Sequence, residues 1–199
     1  MKKLLLLTTL CTALAAQAQE KVSADEVQKI ASRLTEQFGE PGDAQIKISP
    51  DTERGDALKA GEGGILIVPD KNLTAEVLEK TGADLVPVGQ LYFKSFAPAK
   101  DGKVAPSEKL RIGTINDKGS DVRIPLCLLG ARKRDGQLEL VVFGSEKAPF
   151  TQVSLRKAES TPGNPIELSG EKQDDETGAL TLSILGKYKA TLVVKKLEN

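Results

Sequence analysis

Carboxylates are the one catalytic residue type that this sequence gathers into clusters. Three polar loops hold them: Asp51, Glu53 and Asp56; Asp117 and Asp121; and Asp174, Asp175 and Glu176. Two carboxylates can hydrolyse an amide or glycosidic bond when their surroundings drive their pKa values apart. The Asp-Thr/Ser-Gly triplet that aspartic peptidases carry at the active turn does not occur. Glu176-Thr177-Gly178 is the nearest string, with the wrong acid. Acidic side chains on turns are ordinarily solvated, so Asp51, Asp56, Asp117, Asp121, Asp174 and Asp175 stand as candidates and nothing more. Calcium also takes carboxylate and carbonyl oxygens, but the D-x-D-x-D-G spacing is absent, so no metal is expected.

Other chemistries lack their residues. The chain has no histidine, which removes Ser-His-Asp and Cys-His nucleophiles and any imidazole-based zinc site. Of two cysteines, Cys11 lies in the leader described below, so the mature chain keeps only Cys127, and thiolate zinc clusters and CxxC redox pairs are excluded. Cys127 sits between Leu126 and Leu128 with no neighbouring cation, the setting of a small buried hydrophobe and not of an activated thiol. Gly61-Glu62-Gly63-Gly64 precedes a strand and is not followed by Gly-Lys-Ser/Thr, so it is no phosphate cradle. Arg132-Lys133-Arg134 reads as a solvated hairpin tip. Asn72-Leu73-Thr74 matches a glycosylation sequon, although helix capping explains Thr74 better. With no tryptophan and only Tyr92 and Tyr188, an aromatic sugar-stacking platform is not expected. No cofactor is expected either.

The elements that must position these residues centre on Val122 to Phe143. Val122, Ile124, Leu126 and Leu128 recur at every second position, as do Leu138, Leu140 and Val142 beyond Asp135-Gly136. Asp-Gly suits a type I′ turn, whose two central residues need positive φ, and the expectation is a long β-hairpin with an apolar face at the centre of a core. Upstream, Ser23 to Glu26 form a capping box. Val27, Ile30, Ala31, Leu34 and Phe38 then follow helical spacing as far as Gly39. Ala44 to Ile48 reads as a short strand and residues 51–63 as loop. Gly64 to Val68, a helix capped by Thr74, and Pro87 to Phe96 read as a strand–helix–strand crossover. Ala97 to Lys109 reads as a Pro-rich loop.

Strands are then expected at Leu110–Ile115, Val122–Lys133, Gln137–Phe143, Phe150–Lys157, Ile166–Gly170, Ala179–Leu185 and Tyr188–Lys196. Turn clusters separate them. Pro125 cannot donate to a ladder, so its strand is expected to bulge or to lie at an edge there. The fold class expected is α+β: an N-terminal helical and short-strand segment, residues 19–96, packed on a mainly antiparallel β-sandwich, residues 97–199.

Lys2 and Lys3, the apolar stretch Leu4 to Leu14 and Ala16-Gln17-Ala18 have the form of an export signal cleaved after Ala18. Leu10 stands before Cys11 where a lipoprotein signal has a small residue, so a soluble exported chain is expected. Its destination is the periplasm or the exterior, with no membrane insertion after cleavage. The 28 basic residues match 28 acidic ones, and loss of Lys2 and Lys3 leaves the acids slightly ahead, so nucleic acid is not an expected partner. The function expected is binding or envelope structure, with a protein or glycoprotein partner. The alternative is a carboxylate-dependent hydrolase, an aspartic-type peptidase or a glycosidase, acting on extracellular protein or glycoprotein. Carriage of a small ligand inside the β structure is a third reading.

Overall fold

The chain enters the fold through a two-residue strand, β1 (Glu20–Lys21), and a helix, α1 (Ala24–Phe38), whose start follows the capping box. The Glu26 N–H donates to the Ser23 hydroxyl at 3.4 Å, and Gly39, at φ 60°, donates its N–H to Thr35. Val27, Ala31 and Leu34 form the buried stripe. This computed structural model describes residues 20–39, 44–117 and 119–197. The export signal, including Cys11, lies outside the described residues. No described helix is long and apolar enough to cross a membrane.

The strands that follow are β2 (Asp56–Ala60), β3 (Gly63–Pro69), β4 (Val86–Lys94), β5 (Phe96–Lys100), β6 (Lys103–Val104), β7 (Arg111–Asp117), β8 (Ser120–Arg134), β9 (Gln137–Phe143) and β10 (Thr151–Ser154). The short helix α2 (Ala75–Lys80) lies between β3 and β4. The last four strands are β11 (Arg156–Lys157), β12 (Ile166–Lys172), β13 (Thr177–Ile184) and β14 (Tyr188–Lys196). Among the described residues they make two antiparallel sheets. The larger runs β1-β2-β3-β4-β8-β9-β10, with β7 also paired to β8; the smaller runs β12-β13-β14-β5-β6, with β11 also paired to β14. The protein is therefore mostly antiparallel β with little helix.

Two apolar layers hold it. Leu58, Ile65, Ile67, Leu91 and Phe93 of the large sheet face Leu168, Leu180, Leu182, Ile184 and Leu192 of the small one. On the opposite face of the large sheet, α1 lies over Ala57, Leu66, Tyr92, Ile124 and Leu126. The large sheet is thus buried on both faces. That corrects the reading of the central hairpin. The Asp135-Gly136 turn forms with both φ values positive, 49° and 78°, but Leu128 pairs with Phe143 and Leu129 with Val142. Ile124, Leu126 and Leu128 therefore face α1, while Leu140 and Val142 face the small sheet, together with Cys127 and Leu129.

Several expectations in the N-terminal half give way. Ala44 to Ile48 is not a strand; Ile46 and Ile48 are buried beneath an irregular segment. Residues 51–63 are not all loop, since β2 lies there with Ala57 and Leu58 buried. The strand–helix–strand unit is no crossover, because β3 and β4 are antiparallel neighbours and six-residue α2 merely turns the chain back. Leu73, just ahead of α2, and Leu78, within it, are buried in the inter-sheet core. The stretch Ala97 to Lys109 holds all of β5 but Phe96, and the whole of β6, with Pro98 opposite Val194. Pro125 stands just past Leu126, where the β4 ladder with β8 ends. The sheets run across the 96/97 boundary, since β4 pairs with β8 and β5 with β14.

Candidate functional site

Between β4 and β5 the chain leaves one sheet and joins the other. Ser95, the connecting residue, holds φ at 62°, a left-handed conformation uncommon for a residue with a side chain. It delivers Phe96 to a cleft between the β2–β3 turn and the β12–β13 loop. A Cβ on Gly63 would lie 2.6 Å from the Phe96 ring and 2.7 Å from the Lys94 carbonyl oxygen. The bare glycine backbone is what lets the ring settle over β3.

A cleft of about 420 Å³ opens there, within the range of small-ligand sites. Leu58, Ile65, Phe96, Leu180 and Val194 give it an apolar floor. Its rim is formed by the acidic residues Glu62, Glu171, Asp174, Asp175 and Glu176 together with Lys172 and Lys196. The β12–β13 loop that supplies most of them is well anchored. The Asp174 carboxylate accepts the N–H groups of Glu176 at 2.9 Å and Thr177 at 2.6 Å, and these backbone donors hold its pKa below the usual carboxylate value. Lys172 pairs with Asp175 at 2.7 Å and Lys195 with Glu176 at 3.0 Å.

The three acidic loops take three different positions. Only Asp174, Asp175 and Glu176 line the cleft. Asp51 is nearly buried and accepts Nε of Arg54 at 2.6 Å and the Glu53 N–H at 3.3 Å. Asp56, on β2, is buried and accepts Nζ of Lys21 and the Leu168 N–H. Asp117 pairs with Lys94 at 2.7 Å, and Asp121 accepts the side-chain amide of Asn116 at 3.4 Å, both at the tip of the β7–β8 hairpin. These contacts are those of turns and sheet edges. Among the described residues no group of three or more His, Cys, Asp or Glu side chains is placed to hold a metal ion.

Cys127 is fully buried, and desolvation pushes its thiol pKa up to about 12. The Tyr92 hydroxyl donates to Gln90 at 2.7 Å beneath α1, and burial raises its pKa to about 12 as well. Neither group reaches the cleft.

The sequence reading passed over Asp70, which is 2% exposed and accepts the Ser49 N–H at 2.6 Å and the Asn72 N–H at 2.8 Å. Ser95, Phe96 and Gly63 were also missed as site residues. Gly61 to Gly64 gave the only local signal, a glycine-rich turn beside an apolar run. No protein-family model matches the chain, and comparison with curated proteins and with solved structures finds no significant relative.

Proposed function

We propose that this chain is an exported binding protein whose ligand site is the cleft between the β2–β3 turn and the β12–β13 loop. The observation that carries this reading is the cleft itself, where half-buried Phe96 and the buried Leu58, Ile65, Leu180 and Val194 form an apolar floor beneath a polar rim on an anchored frame. The sequence Lys2 to Ala18 supports export, and the surplus of rim carboxylates supports a partner of positive charge. The finer fold description, an N-terminal segment laid on a β-sandwich, belongs to the same reading. Its helix α1 serves as the back wall, leaving the cleft for recognition.

The test uses the isotope-labelled mature chain, Gln19 to Asn199, titrated with a library of small ligands and short peptides. Resonance shifts confined to Gly63, Ser95, Phe96, Thr177 and Val194 are the expected result. Shifts elsewhere, or none, would overturn the assignment. The same mixtures, kept from pH 3 to 8 and read by mass spectrometry, decide the hydrolase alternative. Intact peptides accord with binding, whereas cleavage abolished by Asp174→Asn or Asp175→Asn would establish the hydrolase.

A further inference from the structure

The identity of the ligand class follows from which backbone groups the small sheet leaves unused. Pro165 accepts the Leu185 N–H at 2.7 Å, and the Gln173 N–H donates to Thr177 at 3.0 Å. With the register Ile166 to Ile184 and Lys172 to Gly178, the pairs that exchange hydrogen bonds across β12 and β13 are the odd-numbered residues of β12. The even-numbered residues turn their N–H and C=O groups away from β13. Leu168 shows this directly, since its N–H donates to the Asp56 carboxylate at 2.6 Å. Gly170 and Lys172 continue that edge into the cleft wall, where among the described residues no strand of the large sheet pairs with them. An unpaired strand edge is a template for an added strand.

The side chains around that edge alternate in character. Leu168 points into the inter-sheet core, so Gly170, two residues on, faces the cleft floor without a side chain of its own. Glycine within a strand is where another backbone can approach closely. Glu167 and Glu171 project to the other face, where neither is buried, and Glu62 and Asp175 stand on the rim.

Building on the cleft as the ligand site, we infer that the protein binds an extended peptide in which lysine or arginine alternates with apolar residues, added antiparallel to β12 at Gly170 and Lys172. An apolar guest side chain opposite Gly170 fills the floor beside Phe96 and Leu180. Its neighbours on the guest strand emerge beside Glu171, where positive charge is favoured. Main-chain hydrogen bonds supply affinity and the alternating side chains supply selectivity, as in other strand-addition complexes.

The probe is the pentapeptide acetyl-Lys-Val-Lys-Val-Lys-amide, titrated into the labelled mature chain. The expected result is saturable binding that weakens with salt, with slowed amide exchange at Gly170 and Lys172. The Glu-Val-Glu-Val-Glu counterpart should bind roughly tenfold more weakly or not at all, and so should the lysine peptide N-methylated on both valines, which loses two hydrogen bonds each worth up to about that factor. Glu171→Lys, an exposed change that spares the core, should weaken the lysine peptide and favour the glutamate one. Gly170→Pro should remove the free N–H while sparing the β13 ladder. Undiminished binding of the N-methylated peptide would overturn strand addition, and equal binding of the glutamate peptide would overturn the charge preference. If neither peptide binds while other library ligands still shift the cleft resonances, the peptide inference falls and the ligand site stands. If nothing binds, both fall.

Discussion

The Asp56 carboxylate on β2 accepts the main-chain N–H of Leu168 on β12 at 2.6 Å, so one side chain of the large sheet satisfies a backbone group of the small sheet. Lys21 balances its charge from the first strand. Asp56→Ala would leave a buried N–H without a partner, at a cost of about 1–3 kcal/mol. In a chain of this size that lowers Tm by roughly 2–4 °C per kcal/mol. Asp56→Asn keeps an oxygen for Leu168 and should cost less. Paired thermal melts of the two variants check the order; equal losses would mean that the charge pair with Lys21 matters and the amide does not.

Among the acids the prediction is a ranking by environment. Asp70→Ala orphans the N–H groups of Ser49 and Asn72 and should be as damaging as Asp56→Ala or more so. Asp121→Asn and Asp175→Asn alter exposed turns and should stay within ~0.5 kcal/mol of the parent. Urea midpoints over this series measure it. A large loss at Asp121 or Asp175 would mark a role that their contacts do not show.

Gly63→Ala drives a methyl group into the Phe96 ring and the Lys94 carbonyl. Overpacking of this kind costs about 1–3 kcal/mol. Because the ring is the part able to move, its resonances should shift in the free protein, and affinity at the cleft should fall with them. A stable variant with unshifted Phe96 signals would show that the ring does not rest on this glycine.

Burial of Cys127 predicts an alkaline loss of stability. Its thiol ionises near pH 9 in the unfolded chain but only near 12 in the folded one. Between those values the folded state holds the extra proton, so stability is constant below pH 9 and falls above it, by up to about 1.4 kcal/mol per pH unit. Tyr92 adds the same sign from its ordinary value of 10.0 upward. Urea midpoints from pH 7 to 10.5 should bend downward near pH 9 in the parent, and only later in Cys127→Ala. Thiol reagents at pH 8 should label the native protein only as fast as it opens; rapid labelling would contradict the burial.

The parts of the fold legible in sequence are those decided by near neighbours. Ser23 caps α1 through its own third helical residue, Asp135-Gly136 closes a hairpin of two residues, and β9 and β14 run between the bounds their alternation implies. Alternation failed where a strand is apolar on both faces. Leu126 and Cys127 are equally buried, so period two could not say which face met which layer. It failed also at β2, where short apolar Ala57-Leu58 is flanked by charge, and at β5, where Pro98 sits within a ladder. The site was beyond reach because Gly63, Phe96 and Gly170 come from three separate hairpins and meet only after the chain changes sheets at Ser95.

β14 pairs with β13, β5 and β11, and the chain just beyond it returns the Leu197 N–H to Ser95. A chain emerging from its N-terminus delivers this strand after all the others. Until then β5 is separated from β13, and β11 has no ladder partner. Closure of the small sheet is therefore a late, long-range step of the kind that places β-rich domains on millisecond-to-second folding times. A keystone that comes last among the described strands acts as a timer for the small sheet.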